Sequence, residues 1–255
     1  MLPVERLKKI EEKLNEHGSI VVSNLSSEFN VSEETIRRDL EKLSKTMKFK
    51  RVRGGAFLYQ ASDTEVPVRI REKIYIHEKE VIGEKSLEFI NDGETIILDS
   101  STTALYIAKK LNGSNKKVTV ITNSIAIANE LADNIGIKLI SLGGTLRRST
   151  KSYVGYMTTD YLSQLHADKA FVSCTSVNPS FGVSDSHNLE ARVRKEMLKN
   201  ATTKFVVADY TKFEEPAMNK ICDFKEIDYI IVDRKISNDY LEALENEQVQ
   251  VVTCE

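Results

Sequence analysis

The sequence of 255 residues predicts an α/β protein with two parts, a small helical N-terminal domain and a larger, doubly wound, mainly parallel α/β domain. Two observations predict this division. Residues 1–57 carry apolar residues at helical spacing and end in a basic segment, whereas the chain after residue 78 alternates short apolar runs with amphipathic stretches. The polar segment between them, Tyr59–Pro67, has no sustained apolar period. We therefore predict domains at 1–57 and 78–255, joined by a linker at 58–77.

The N-terminal domain is predicted to contain three short helices. In the first, Leu7, Ile10 and Leu14 recur at the spacing of one helix face, and Gly18 ends the helix. We expect Ser23 to cap the second helix. Short helices joined by tight turns around one small core are typical of a helix-turn-helix.

The third helix begins after Ser32, a residue type that favours the N-cap position. Its predicted buried stripe consists of Ile36, Leu40 and Leu43. At about 100° per residue, Arg38 lies opposite this stripe, with Thr35 and Arg37 on its two flanks. The N-terminal half of such a helix enters the major groove of DNA. There Arg can bind guanine through two hydrogen bonds, and Thr can contact a base edge.

Charge is unevenly distributed along the chain. The whole protein has a formal net charge of -2, which alone would argue against a nucleic-acid partner. Residues 1–57, however, carry 12 basic and 9 acidic side chains, and the remainder carries 24 basic and 29 acidic ones. The segment Lys48–Phe57 alternates basic and apolar residues around a Gly54–Gly55 turn, like one arm of a solvent-facing hairpin. Such a basic hairpin would contact phosphates or enter the minor groove.

A basic run by itself is more often a solvated surface than a DNA-binding site. Here it coincides with a capped helix, two preceding helices and a hairpin, and this combination favours DNA binding. The segment Ser32–Leu40, followed by Arg53–Ala56, resembles the N-terminal domain of the DeoR family of bacterial regulators of sugar metabolism. The resemblance implies a winged helix-turn-helix whose third helix is the recognition helix. The residues that it implies to contact DNA are Ser32, Thr35, Arg37, Arg38, Arg51 and Arg53, although the family usually has His at the last of these positions.

The second domain contains seven candidate buried strands. They are predicted at Thr95–Leu98, Val118–Ile121, Ile137–Leu142, Ala170–Val172, Phe205–Ala208, Tyr229–Val232 and Val249–Val252. Helices are predicted at Thr103–Leu111, Ser124–Leu131, Leu189–Leu198 and Asp239–Leu244. Apolar strands joined by amphipathic helices indicate a parallel sheet that is covered on both faces.

Polar clusters follow four of these strands, at the edge where open α/β sheets bind ligands. Hydroxyl and backbone N–H groups at a helix start can bind a phosphate, which Arg147 and Lys212 can neutralise, while Asp99 can accept hydrogen bonds from sugar hydroxyls. One such cluster is often a helix cap or a turn, but four at one edge predict a site for a small phosphorylated polyol. The predicted binding residues are Asp99, Ser101, Thr102, Thr103, Thr122, Asn123, Gly143, Gly144, Arg147 and Lys212.

The resemblance to the DeoR family continues through this domain, for example at Asp99–Thr103, Ala167–Phe171 and Asp209–Phe213. It implies an effector domain that resembles sugar-phosphate isomerases and binds a phosphorylated sugar, which changes the affinity for the operator. Two positions depart from the family pattern. Ser101 stands where Gly is usual, and Thr175–Ser176 stands where Asp-Gly is frequent. The second departure removes a carboxylate from the loop that supplies the catalytic acid or base in the isomerases.

We therefore predict a DNA-binding transcriptional regulator, a repressor of a carbohydrate-utilisation operon, rather than an enzyme. No catalytic residue, metal or cofactor is predicted, and neither a GxGxxG fingerprint nor a Walker A loop is present. A transcriptional activator would use the same DNA-binding and effector domains, so it is the alternative within this class. The alternative from another class is an isomerase-like enzyme with a basic N-terminal domain, for which the available carboxylates are Asp99, Asp185, Glu190 and Asp209.

The cysteines and the N-terminal residues indicate where in the cell the protein acts. Cys174, Cys222 and Cys254 lack metal-binding spacing, and the first residues lack the apolar core of a secretion signal. We expect a cytoplasmic, nucleoid-associated bacterial protein without a membrane span. Double-stranded operator DNA and a phosphorylated sugar are the expected partners. A homo-oligomer, dimer or tetramer, is expected because helix-turn-helix proteins usually read paired half-sites as symmetric dimers.

Overall fold

A computed structural model of the protein describes residues 2–52, 54–58 and 66–254. The chain forms two compact units, Met1–Ile76 and His77–Glu255. Each unit has a hydrophobic core of its own. Of the segment predicted as a linker, residues 59–65 lie outside the described part of the chain, and residues 68–71 form a short helix.

The first unit packs three helices around one core and adds a small antiparallel sheet. In chain order its elements are α1 Pro3–His17, β1 Ser19–Val21, α2 Val22–Phe29, α3 Glu33–Leu43, β2 Lys50–Val52, β3 Gly55–Phe57 and α4 Val68–Arg71. The three strands pair in the order β1-β3-β2, so β2 lies at an edge. Three helices followed by this hairpin confirm the predicted winged helix-turn-helix.

Local sequence explains most of these boundaries. Helix α1 ends at Gly18, whose φ of 67° favours glycine, and α3 begins at the predicted cap Ser32. Helix α2 differs from the prediction, because it begins at Val22 and contains Ser23. The Val22 N–H donates to the carbonyl of Gly54 at 2.8 Å, so the adjoining hairpin holds this helix start. The hairpin also differs from the prediction, since only β2 is exposed and β3 is buried between its two neighbours.

The second unit is built on one large parallel sheet with helices around it. In chain order its elements are α5 Ile76–Leu87, β4 Thr95–Leu98, α6 Thr102–Asn112, β5 Val118–Thr122, α7 Ile125–Leu131, β6 Ile137–Ser141, β7 Thr145–Arg147, β8 Ser152–Val154, α8 Tyr156–Ser163, β9 Ala167–Val172, β10 Ser176–Asn178, β11 Gly182–Asp185, α9 Asn188–Lys199, β12 Ala201–Ala208, β13 Asn219–Cys222, β14 Tyr229–Val232, α10 Asn238–Asn246 and β15 Gln250–Thr253. One-turn 3-10 helices lie at Tyr210–Lys212 and Phe224–Glu226.

The seven predicted strands all belong to this sheet, in the order β15-β14-β12-β9-β4-β5-β6. Every pairing in it is parallel. In chain order, β4 is the first strand of this sheet. β5 and β6 follow on one side of β4, and β9 then lies on its other side. The strand order therefore reverses between β4 and β9, which confirms the doubly wound architecture. Such a reversal opens a crevice at the carboxyl ends of the two strands.

Sequence periodicity missed the short elements outside the main sheet. These are the hairpin β7–β8 and the three-stranded antiparallel sheet β10-β11-β13. Their strands contain only three or four residues, too few to show an alternating pattern. Helix α8 was missed because its first residues, Tyr156 and Met157, are apolar and exposed. None of the helices in the described ranges combines the length and the apolar character that crossing a membrane requires.

Candidate functional site

The recognition helix α3 starts with the predicted cap. The Thr35 backbone N–H donates to the hydroxyl oxygen of Ser32 at 3.2 Å, and the two hydroxyl groups lie 2.9 Å apart. The opposite face of the helix is buried through Ile36 and Leu40. The cap therefore holds Ser32 and Thr35 together at the exposed end of α3, as a DNA-reading helix requires.

The two arginines of α3 extend into solvent. Their side chains are 49% exposed at Arg37 and 72% exposed at Arg38. Glu33 accepts a hydrogen bond from Arg37 at 2.5 Å, and Glu34 accepts one from Arg38 at 3.3 Å. Exposed pairs of this kind are weak, so a DNA phosphate or a guanine edge can replace the carboxylates.

The hairpin contributes a third cation. Arg51 lies in the edge strand β2 and is exposed. Arg53, the remaining residue of the predicted DNA-binding set, lies outside the described residues. The exposed cations of α3 and β2 thus belong to the two elements with which a winged helix-turn-helix contacts DNA.

In the second unit, the loop after β4 forms the start of α6. Asp99 accepts hydrogen bonds from the backbone N–H and the hydroxyl of Ser101, at 3.2 and 2.6 Å. The Ser101 hydroxyl in turn accepts from the Ala104 N–H at 3.0 Å and so caps α6. Thr102 and Thr103 occupy the first turn of the helix and are buried. A capped helix start beside the strand-order reversal is suited to binding an anion.

Two buried carboxylates meet one arginine beside this loop. Arg194 of α9 donates to Asp99 at 2.6 Å and also to Asp185 at the end of β11. All three residues are at most 5% exposed. This cluster connects the loop after β4, strand β11 and helix α9.

Glu190, one turn before Arg194, connects the same loop to the hairpin β7–β8. It accepts hydrogen bonds from Ser152 at 2.6 Å, from Thr150 at 2.8 Å and from Ser100 at 3.1 Å. Arg147 lies 3.6 Å from its carboxylate. Burial alone would raise the pKa of Glu190, but the charge of Arg194 and these hydroxyl donors hold it below its usual value. Glu190 is therefore an anion at neutral pH.

The polar residues after β5 fix the hairpin to the sheet edge. Because Leu98 and Thr122 are partners in the parallel register, Asn123 lies beside Asp99 at the ends of β4 and β5. The Asn123 side chain donates to the carbonyl of Tyr153 at 2.8 Å. The Thr122 hydroxyl accepts from the backbone N–H of Ser124 at 3.1 Å. Thr122 and Asn123, both predicted site residues, thus stabilise the loop after β5, which adjoins the crevice.

The glycine pair after β6 approaches α8. A Cβ atom on Gly144, where φ is 143°, would lie 2.1 Å from the Thr158 hydroxyl, and Gly143 accepts a hydrogen bond from that hydroxyl at 2.7 Å. No such contact surrounds a Cβ atom on Gly143. The close approach therefore occurs at Gly144, and its partner is α8.

Lys212 ends the 3-10 helix that follows β12. Burial raises the pKa of the Cys174 thiol to about 12, and the positive charges of Lys212 and Arg194 act against that rise. Strand β12 pairs in parallel with β9, so the 3-10 helix that follows β12 lies beside the loop after β9. This places Lys212 on the β9 side of the crevice, whereas Arg147 lies on the β7–β8 side.

Sequence reasoning omitted several residues of this network from the predicted site. They are Thr150, Ser152, Asp185, Glu190 and Arg194. A signal was present in α9, because Glu190 and Arg194 occupy the same helix face as the buried Val193 and Met197. Charged residues within an apolar stripe indicate a buried polar cluster. The described residues contain no group of three His, Cys, Asp or Glu side chains that could hold a metal ion.

Comparison with known proteins agrees with this architecture. Residues 6–61 match the model of the DeoR-like helix-turn-helix domain, and residues 75–234 match that of the DeoR C-terminal sensor domain. The HTH-type transcriptional regulator YulB of Bacillus subtilis (strain 168) is 38% identical over 98% of this chain and 96% of its own length. The L-fucose operon activator of Escherichia coli (strain K12) is 34% identical over 90% of this chain and 95% of its own length.

A third relative is a repressor. The lactose phosphotransferase system repressor of Lactococcus lactis subsp. lactis is 33% identical over 93% of each chain. Both family models thus cover the units that carry the exposed arginines and the crevice, and the relatives match across nearly their whole lengths. The chain belongs to the DeoR family and is a DNA-binding transcriptional regulator.

Proposed function

We propose that the protein represses a carbohydrate-utilisation operon and that a phosphorylated sugar controls its binding to double-stranded operator DNA. The observation that carries the proposal is the capped helix start at Ser101–Thr103, which lies at the strand-order reversal of the sheet. The names of two relatives, a lactose-system repressor and an L-fucose operon activator, support carbohydrate as the regulated pathway. Repression is the mode that we propose, and the activator shows that the opposite mode occurs among relatives.

The crevice offers separate chemistry for the two ends of a phosphorylated sugar. The first turn of α6 supplies backbone N–H groups and the hydroxyls of Thr102 and Thr103 for the phosphate, with Lys212 as the counter-charge. Asp99 is an acceptor that suits sugar hydroxyls. The residues that we propose to bind or shape the effector site are Asp99, Ser101, Thr102, Thr103, Thr122, Asn123, Gly143, Gly144, Arg147 and Lys212.

The proposed DNA contacts are Ser32, Thr35, Arg37, Arg38, Arg51 and Arg53. Paired operator half-sites require two such units, so we also propose a homo-oligomer in the bacterial cytoplasm. An effector that binds one conformation of this oligomer better than another changes operator affinity, typically by about 1–3 kcal/mol.

A thermal-shift screen of the full chain against phosphorylated and unphosphorylated sugars tests the effector class. A ligand at 100 times its dissociation constant stabilises the protein by about 2.7 kcal/mol. We expect a phosphorylated sugar to raise the melting temperature, and Lys212→Gln to abolish this rise. Lys225→Gln, an exposed lysine at the 3-10 helix Phe224–Glu226, is the control. A rise with unphosphorylated sugars alone would overturn the phosphate assignment.

The alternative, an isomerase-like enzyme, lacks support in the loop after β9. Ser176 donates to the backbone carbonyls of Glu214 and Glu215 at 3.1 and 2.7 Å, and Thr175 accepts from the Ser186 N–H at 3.3 Å. Both side chains thus hold backbone groups, and neither is a carboxylate that could move a proton between carbons. We propose that the protein has no isomerase activity. Turnover of ribose, galactosamine or fructose phosphates by the purified protein would contradict this.

A further inference from the structure

A cleft of about 450 Å³ lies between the recognition helix α3 and the hairpin β2–β3. The residues that line it are Val22, Arg37, Leu40, Arg51, Val52, Gly54 and Gly55. Only two of these seven carry a charge, and both are arginines from different elements. The other five residues are apolar or glycine, so the lining of the cleft is uncharged apart from the two arginines.

Strand geometry explains why Arg51 faces this cleft. Arg51 pairs with Ala56, which is fully buried in the core of the three helices. Side chains alternate between the two faces of a sheet, so Arg51 leaves β2 on the face that Ala56 turns toward the helices. Its neighbour Val52 packs on the opposite side, beside Phe57.

Helix geometry places Arg37 at the other wall. Arg37 precedes Leu40 by three residues, a spacing at which two side chains lie next to each other on a helix. Arg37 and Leu40 both line the cleft. The guanidinium of Arg37 reaches back to Glu33, one turn toward the start of α3. Arg38 is not among the lining residues, and its side chain is 72% exposed.

We propose that Arg37 and Arg51 form a clamp for one backbone phosphate of the operator, and that base reading on α3 is left to Arg38 and Thr35. This inference rests on the proposed DNA-binding surface. A phosphodiester presents two unesterified oxygens, which match the planar, forked donors of guanidinium groups. The clamp fixes the orientation of α3 on the duplex and carries no sequence information.

In the absence of DNA, two carboxylates of α3 occupy the guanidinium of Arg37. In the free protein, Glu33 accepts from Arg37 at 2.5 Å and Glu34 lies 3.7 Å from it. These pairs are exposed and weak. Arg37 therefore exchanges a carboxylate of its own helix for the phosphate when DNA enters the cleft.

The test measures how the full-length protein binds two duplexes of equal length over a range of salt concentrations. One duplex is selected from a random library by the unaltered protein, and the other has an unrelated sequence. The variants are Arg37→Ala, Arg51→Ala, the double variant and Arg38→Ala. Lys8→Ala is the matched control, because this lysine is 79% exposed on α1 and its loss removes the same charge. Melting temperatures show that each variant is folded, and Arg37→Gln replaces Arg37→Ala if the latter is not.

We expect Arg37→Ala and Arg51→Ala to weaken binding to both duplexes by the same factor, so that the ratio of the two affinities is unchanged. Since both arginines hold one phosphate, the double variant loses less than the product of the two single losses. The double variant also lowers the salt dependence by about one phosphate contact per DNA-binding unit, whereas Lys8→Ala does not. Arg38→Ala lowers the affinity ratio, by about 5- to 150-fold.

Two results would overturn the clamp while leaving the DNA-binding surface intact. One is a fall in the affinity ratio for Arg37→Ala like that for Arg38→Ala, because Arg37 would then read a base. The other is a loss of affinity in the double variant that equals the product of the two single losses, because the arginines would then hold separate phosphates. If none of the three single variants differs from Lys8→Ala, the DNA-binding surface itself is wrong.

Discussion

Arg6 of α1 donates two hydrogen bonds to Asp39 of α3, at 2.5 and 3.2 Å, and both side chains are buried. Asp39 directly follows Arg38, on the helix face turned toward the core. The bidentate geometry fixes α3 both in position and in rotation about its axis. This buried pair therefore determines which side chains of α3 the first unit presents to DNA.

Asp39→Asn is expected to destabilise the first unit by up to about 3–5 kcal/mol, because it leaves the buried Arg6 without its counter-charge. DNA affinity should fall as well, although Asp39 faces away from the proposed DNA surface. Thermal denaturation and mobility-shift titration measure the two effects. Glu41→Gln, at an exposed position of the same helix, is the control and should change stability by no more than about 0.5 kcal/mol. Equal melting of Asp39→Asn and the unaltered protein would show that the pair does not hold α3.

The first unit shows which of its features could be predicted from sequence. The cap at Ser32, the stripe through Ile36 and Leu40, and the stop at Gly18 are signals within a few residues of one another, and the structure contains all three. The pair of Arg6 and Asp39 joins residues far apart in the chain. Periodicity within one helix contains no information about such a partner, so the pair was not predicted.

Arg194→Met is expected to destabilise the second unit by about 3–5 kcal/mol. Removing the guanidinium leaves two buried carboxylates, Asp99 and Asp185, without the cation that both of them contact. Thermal denaturation of the full chain is the measurement. Lys199→Met on the same helix is the matched control, because that lysine is 71% exposed and its loss should be nearly neutral. If Arg194→Met lowers the melting temperature no more than Lys199→Met does, water already compensates the charges of the two carboxylates and the prediction is wrong.

Glu190→Gln is expected to change how stability depends on pH. The pKa of Glu190 is lowered in the folded protein, so its ionisation contributes stability above the ordinary pKa of glutamate, about 4.3, and this contribution is lost as the pH falls through the folded value. The variant should therefore melt at a lower temperature at pH 7 and lose less stability on acidification. Melting temperatures between pH 3 and pH 7 test this. Parallel curves for the two proteins would contradict it.

Gly144→Ala is expected to cost about 1–3 kcal/mol, because an alanine there must adopt a φ of 143° and its Cβ atom meets the Thr158 hydroxyl. Gly143→Ala is a control at the adjacent position, where a Cβ atom has open space. Chemical denaturation of the two variants compares them directly. The strain argument fails if the two substitutions cost the same.

In the predicted effector site too, features set by neighbouring residues could be predicted, whereas contacts between residues far apart in the chain could not. Each polar loop could be located from the strand before it, and the parallel register places Asn123 beside Asp99. What sequence could not supply is the contribution of Glu190 and Arg194, which reach the site because α9 packs against strand β9 and hairpin β7–β8. The role of a residue in this network depends on which elements meet, and local patterns do not specify that.

The position of β4 between β5 and β9 has a consequence during synthesis on the ribosome. β4 pairs with β5 soon after both emerge, but it lacks its other neighbour until the chain has been translated through Val172. The first unit, whose strands all lie before residue 58, can fold much earlier. A chain that terminates before β9 would thus carry a DNA-reading surface without the crevice that is proposed to control it, and premature stop codons in this interval should produce regulators that no longer respond to effector.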